Sequence, residues 1–289
     1  MTTRIAHVSD LHFGAENPDA VEALVDDLAR MRPRVVAVSG DLTQRAREKE
    51  FRAAGEFLAR IDAPTVVVPG NHDVPFYNFV ARFLAGTKNY RRHIARDLNP
   101  YYADGAVALL GINTARSLTF KDGRVSLLQI ERIRRAFADV PEDVPKALVT
   151  HHPFLPPPDD PRGTIVGRAR QALAAFEEAG GDLVLCGHMH VGYARDVGGF
   201  HAEIKRSMLA IQAGTAVSRR HRGEPNAYNI LALAPGEVDV QVRQLVGGSF
   251  DAVRRETFRK RAGRWVVAAE SEGPLGRPRA GREIVHVVK

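Results

Sequence analysis

Cysteine is nearly absent from this 289-residue chain, which holds only Cys186. No intramolecular disulfide can form, so a disulfide framework is excluded and the sequence suits a reducing compartment. No uninterrupted apolar run is long enough to cross a bilayer, and Met1-Thr2-Thr3-Arg4 leads straight into a strand-like segment with no apolar signal region. The expectation is a cytoplasmic protein without a membrane span. Internal repeats and long low-complexity segments are missing as well. A strong charge imbalance is also lacking: 41 basic residues face 34 acidic ones, for a net +7 and a pI near 9.8. That excess suits anionic partners, but an ordinary solvated surface accounts for it equally well. What the chain does have is 44% hydrophobic content, enough to bury a substantial core over a length that one α/β domain can reach.

Short β-branched runs recur over the first two-thirds: Arg4 to Ser9, Arg34 to Ser39, Thr65 to Pro69, Val107 to Ile112, Ala147 to Thr150 and Asp182 to Cys186. They read as buried strands. Amphipathic helices fall between them. Asn17-Pro18 is a start signal ahead of Val21, Leu24, Val25, Leu28 and Met31, and a second helical spacing runs through Phe51, Ala54, Leu58 and Ile61. Ser126 and Gln129 form a capping box before Ile130, Ile133 and Phe137, and the helix carrying Ala169, Leu173 and Phe176 stops at Gly180-Gly181. This β-α-β alternation predicts parallel strands covered by helices. After Gly187 the pattern changes to strand-like runs at Met208 to Ala213, Tyr228 to Leu233, Val238 to Leu245 and Trp265 to Ala268, which read as antiparallel additions to a sheet. One domain is expected over residues 1–270. Residues 271–289, rich in Gly, Pro and Arg, read as a poorly ordered tail.

The polar residues sit where chemistry is expected in such a fold. Asp10, Asp41, Asn71, His151 and His188 each lie at or just beyond the C-terminal end of an apolar strand, the edge at which open α/β sheets bind ligands. Asp10-Leu11-His12 sets a carboxylate two positions from an imidazole. Gly40-Asp41 and Gly70-Asn71-His72-Asp73 add oxygen and nitrogen donors, and Gly187-His188-Met189-His190 adds two more imidazoles. Gly40, Gly70 and Gly187 allow tight turns that bring backbone close to the site. Taken singly, each motif has an ordinary explanation as a turn, a helix cap or a surface loop. Five of them in order on successive strand ends do not.

In that order the motifs resemble the calcineurin-like metallophosphoesterase superfamily, whose signature runs Asp-x-His, Gly-Asp, Gly-Asn-His-Asp or Glu, a lone His, and Gly-His-x-His. The segments Gly40 to Ala46, Pro69 to Val74 and Arg222 to Asn229 look most like bacterial members grouped with the class III cyclic nucleotide phosphodiesterases. The resemblance implies a four-layer α-β-β-α sandwich and a two-metal phosphoesterase that uses a hydroxide bridging the ions. It assigns Asp10, His12 and His190 to one metal and Asn71, His151 and His188 to the other, with Asp41 bridging. Carboxylate, amide and imidazole donors without thiolate suit Mn²⁺, Fe or Zn²⁺ better than a closed structural zinc site. His72 is read as the catalytic residue, placed to donate a proton or stabilise charge at the leaving group.

Serine/threonine phosphatases of the superfamily carry Gly-Asp-x-Val-Asp-Arg-Gly, whereas this chain reads Gly40-Asp41-Leu42-Thr43-Gln44-Arg45-Ala46. Gln44 replaces the second aspartate, which in those enzymes orients the catalytic histidine. The partner of His72 is therefore left open, with Asp73 a candidate and a turn or cap role for Asp73 the alternative. Arg116, His152 and Arg222 are candidate substrate contacts for a small phosphodiester such as a cyclic nucleotide. Three other readings compete, one of them a phosphomonoesterase, which differs only in pocket shape. A nuclease would need a basic track with aromatic platforms, and Arg254 to Arg264 with Phe258 and Trp265 hints at one. A non-catalytic scaffold on the same fold need not keep His72 and all seven ligands.

Overall fold

In a computed structural model of the protein, residues 2–75, 86–115, 122–158, 160–220 and 223–272 are described. The chain opens with β1 (Thr3–Val8), α1 (Pro18–Met31), β2 (Val35–Ser39), α2 (Glu48–Leu58) and β3 (Thr65–Val68). Then follow α3 (Lys88–His93), β4 (Tyr101–Ala103), β5 (Ala108–Ile112), α4 (Leu127–Ala136), β6 (Lys146–Thr150), α5 (Ala169–Glu178) and β7 (Leu183–Cys186). The last third is strand: β8 (Tyr193–Asp196), β9 (Leu209–Gln212), β10 (Ala227–Ala234), β11 (Glu237–Val246), β12 (Ser249–Arg261) and β13 (Arg264–Glu272).

Two sheets result, ordered β13-β12-β11-β10-β1-β2-β3 and β4-β5-β6-β7-β9-β8. Three hydrophobic clusters show how they stack. Ile5, Val35, Ala37 and Val66 of the first sheet meet Leu109, Ala147, Val149 and Leu185 of the second. On the reverse of the first sheet Ala6, Val8, Val36 and Val38 pack against Leu24 and Leu28 of α1 and Phe51 of α2. On the reverse of the second, Leu110, Leu148 and Val184 meet Ile130 and Ile133 of α4 and Leu173 and Phe176 of α5. The protein is thus the four-layer α-β-β-α sandwich. Strands buried on both faces explain the unbroken apolar runs in the sequence.

The helix signals act as read. The Asn17 side chain accepts from the Asp19 amide at 3.2 Å, with Pro18 as the first helical residue. Ser126 and Gln129 form the reciprocal capping box at 3.1 and 2.8 Å. Other readings need correction. The segments α3, β4, β8 and β12 were not legible as elements. β9 runs parallel to β7, not antiparallel, because the chain turns back through β8 before rejoining the sheet. β13 continues to Glu272, past the boundary read at residue 270, and the rest of the tail lies outside the described residues. Cys186 is buried, its thiol pushed up to about 11 by that burial. No helix among the described residues is long and apolar enough to cross a membrane.

One buried ionic knot ties α1 to the antiparallel half of its sheet. Asp27, fully buried, accepts from Arg243 through Nε at 2.5 Å and Nη2 at 2.9 Å, and from the Tyr228 hydroxyl at 2.6 Å. Removing the carboxylate strands a guanidinium that is itself only 8% exposed. Asp27→Ala is expected to destabilise the fold by about 3–5 kcal/mol in urea titrations. A loss below about 1 kcal/mol would mean that Arg243 finds water or another acceptor there.

Candidate metal centre

Every parallel strand that leads to the site ends in a loop carrying one of the sequence-identified residues. Asp10 follows β1, Asp41 follows β2, Asn71 and His72 follow β3, His151 follows β6, and His188 and His190 follow β7. The loops hydrogen-bond to one another, as with the His12 amide on the Asp41 carbonyl at 2.9 Å. Five of the nine non-glycine residues with positive φ among those described are candidate ligands: Asp10, His12, Asp41, His188 and His190. Such conformations cost about 1–3 kcal/mol each and persist only where the surroundings enforce them. Close backbone approach matters equally. A Cβ on Gly70 would collide with the amide and carboxylate of Asp41, and one on Gly187 would collide with the Ser9 hydroxyl.

These loops bring all seven predicted ligands together. Asp10 Oδ1 lies 3.6 Å from His12 Nε2 and 3.7 Å from His190 Nε2. Asp41 Oδ2 lies 3.7 Å from His12 Nε2, and its Oδ1 lies 3.4 Å from His151 Nε2. His151 Nε2 in turn lies 3.0 Å from Asn71 Oδ1 and 3.2 Å from His188 Nδ1. The carboxylate–imidazole separations are long for hydrogen bonds. They are close to the spacing of donors that share one ion, since ligands about 2.0–2.2 Å from a metal at right to tetrahedral angles lie about 2.8–3.6 Å apart.

The polar bookkeeping also fits cations. Asp10 Oδ2 accepts from the Ser9 hydroxyl at 2.6 Å and the His188 amide at 3.0 Å, while its buried Oδ1 has no hydrogen-bond partner. His12 Nε2, equally buried, has none either. His151 donates from Nδ1 to the Ser39 carbonyl at 2.9 Å, which aims the lone pair of Nε2 at an amide oxygen and another imidazole. His190 Nδ1 is bonded to the Thr215 hydroxyl at 2.6 Å, leaving Nε2 toward Asp10. Histidines held from behind in this way are the usual arrangement around a metal.

Electrostatics point the same way. Burial opposes charge on Asp10 and Asp41, yet His190 and His12 hold Asp10, and His151 holds Asp41, well below the ordinary carboxylate range. Burial, then the neighbouring His151, pushes His188 down to about 4, the neutral form that offers a lone pair. Against its burial, His151 is raised to about 9 by Asp41. Positive charge is therefore favoured at the spot the donors surround.

His72 stands at the edge of this cluster. Its amide donates to Asp41 Oδ1 at 2.8 Å, its ring packs edge-on to His12 at 4.9 Å, and its Nδ1 donates to the Gln44 carbonyl at 2.9 Å. The partner of His72 is thus the main chain of the residue that replaces the phosphatase aspartate. Asp73 takes the other role weighed for it. It accepts from Gly70, Leu42 and Thr43 amides at 2.8, 3.1 and 2.8 Å and from the Thr43 hydroxyl at 2.8 Å, joining the β2 and β3 loops.

His152 is buried, bonded through Nδ1 to the Thr114 hydroxyl at 2.7 Å, with its ring 5.0 Å from that of His188. Arg116 and Arg222 lie outside the described residues. Sequence reading missed Ser9, Ser39, Thr215 and the Gln44 carbonyl, because serines, threonines and main-chain groups carry no motif of their own. At Arg254 to Arg264 the aromatic platform that a nuclease track needs is missing. Phe258 and Trp265 are buried in the inter-sheet core, while Arg255 pairs with Asp239 and Arg259 with Glu237, both at 2.7 Å.

The calcineurin-like phosphoesterase family model matches residues 3–192, the stretch holding every residue of the cluster from Asp10 to His190, and the chain belongs to that family. It is a metallophosphoesterase of the phosphoric-ester hydrolase class, whose members use a dinuclear metal centre. The glycerophosphodiester phosphodiesterase GpdQ of Enterobacter lignolyticus is 31% identical over 208 residues, 64% of this chain and 70% of that one. The 3′,5′-cyclic adenosine monophosphate phosphodiesterase CpdA of Escherichia coli is 28% identical over 203 residues, 65% of this chain and 69% of that one. Among solved structures, the purple acid phosphatase PPD1 of yellow lupin aligns with a TM-score of 0.65 at 13% identity, over 89% of this chain and 53% of that one. A dimetal phosphatase of Danio rerio gives 0.57 at 13% identity, over 84% and 96%. At such identities these two likenesses concern the fold alone.

Proposed function

We propose that the protein hydrolyses small phosphodiesters, cyclic nucleotides or glycerophosphodiesters among them, at a centre of two Mn, Fe or Zn ions. Asp10, His12 and His190 would hold one ion, Asn71, His151 and His188 the other, and Asp41 both. The observation that carries this reading is the position of Asp41, whose Oδ2 faces His12 while its Oδ1 faces His151. Two such ions supply the Lewis acidity that polarises a phosphoryl group and acidifies water.

The chain's own residues do the rest. Asp73 keeps the Asp41 and Asn71 loops in register. The Gln44 carbonyl accepts a hydrogen bond from Nδ1 of His72 and so orients the ring with Nε2 as the nitrogen available to a leaving-group oxygen. A diester is favoured because GpdQ and CpdA are both named as phosphodiesterases.

Metal-stripped protein should hydrolyse neither bis-p-nitrophenyl phosphate nor p-nitrophenyl phosphate, and added Mn²⁺ should restore turnover with the diester preferred by about tenfold or more. Preference for the monoester would reverse the substrate class. Inactivity toward both substrates, with two ions bound per chain, would sink the hydrolytic reading.

A further inference from the structure

A cavity of about 250 Å³ opens between the two sheets at the end opposite the metal cluster. Pro145, Asp182 and Leu183 border it where β6 and β7 begin, whereas His151 and His188 follow the far ends of those strands. Leu233 and Val238 line it from the first sheet, together with Trp265 of β13. Ligand pockets are mostly apolar with a few polar groups. At about 30 Å³ per water this one has room for roughly eight waters, or one molecule of about ten non-hydrogen atoms.

Charge is unevenly distributed around it. Asp182 Oδ1 is shared by two cations that line the cavity, Arg206 through Nη2 at 3.2 Å and Lys260 through Nζ at 3.7 Å. Its Oδ2 accepts from the Lys146 amide at 3.1 Å. The Lys146 side chain is buried and donates from Nζ to main-chain carbonyls, those of Pro141 and Val144 at 2.8 and 3.5 Å. Lys260 Nζ makes no hydrogen bond among the described residues and stands 5.4 Å from the centre of the Trp265 ring. The indole N–H of Trp265 is itself buried without an acceptor. Three cations and an unanswered donor thus gather about one carboxylate. Glu142 and Asp143, the other acidic residues of the lining, are exposed, where water and salt screen their charge.

We propose that this cavity is a binding site for a small carboxylate with an apolar or aromatic body, held independently of the metal centre. The carboxylate pairs with Arg206 and Lys260, whose one acidic partner among the described residues is Asp182. The body lies among Leu183, Leu233, Val238 and the indole, where leaving water stabilises it.

Trp265 is the only tryptophan of the chain, so its fluorescence reports on this cavity alone. Phenylacetate, a compound of the right size, should change the emission saturably with a dissociation constant of about 1 mM or tighter. Phenylacetamide, the same shape without the charge, should bind at least about tenfold more weakly, and 2-phenylethylamine should give no saturable change. Lys260→Gln should weaken phenylacetate by about fivefold to tenfold with the thermal midpoint unchanged, since its ion pair is part-exposed and long. Ala234→Phe, which fills the cavity, should abolish binding. Metal-stripped and metal-loaded protein should bind phenylacetate equally.

No saturable response to phenylacetate at about 10 mM overturns the inference. Equal binding of the amide overturns it as well, and so does binding of the amine instead, which would make Glu142 and Asp143 the recognising charges. A response unchanged in Lys260→Gln, or present only with metal bound, would place the carboxylate elsewhere and overturn this site.

Discussion

Asp41→Asn is expected to purify with less than half the metal of the parent chain and to lose diesterase turnover by roughly 10³-fold or more. The substitution keeps the shape of the side chain and an oxygen for the His72 amide, which takes Asp41 Oδ1 at 2.8 Å. Asparagine also tolerates the left-handed backbone at this position, where φ is 52°. What it removes is the charge that faces His12 on one side and His151 on the other. His151, raised to about 9 by Asp41, should lose that elevation in the metal-free protein and become neutral near pH 7. Metal analysis together with circular dichroism separates loss of ions from loss of fold. Full occupancy of both positions in Asp41→Asn would refute the shared-ligand role, whatever happened to turnover.

The strands and the residues gathered in the candidate metal cluster were legible for one physical reason. Strands buried on both faces must be almost wholly apolar, so a polar residue at the strand end stands out. Asp10, Asp41, Asn71, His151 and His188 all follow such runs. Less legible was what depends on partners distant in the sequence. The arginines of β12 look like a free basic track until Asp239 and Glu237 are seen across the sheet, 16 and 22 residues away. Thr215 stands 25 residues from the imidazole it holds, and the carbonyls of Ser39 and Gln44 have no side-chain signature at all. The left-handed turns at His12, His188 and His190 were also hidden, since composition announces such turns only when glycine occupies them. A departure that looked like a missing part, Gln44 for aspartate, proves to be a change from side-chain to main-chain acceptor.

That change shapes the expected behaviour of His72→Ala. Both ions should remain, because the imidazole lies beside the cluster and only its amide touches Asp41, while turnover should drop by about 10²–10⁴-fold. A carbonyl, unlike a carboxylate, accepts a hydrogen bond without adding a full negative charge, so the Gln44 main chain orients the ring of His72 through that bond alone. Proton donation from Nε2 matters most when the departing oxygen is strongly basic. The loss in His72→Ala should therefore be greater for 3′,5′-cyclic AMP or a glycerophosphodiester than for bis-p-nitrophenyl phosphate, whose leaving group needs little help. Equal losses on alkyl and aryl substrates would exclude proton donation and leave His72 as a group that only positions the phosphoryl oxygens.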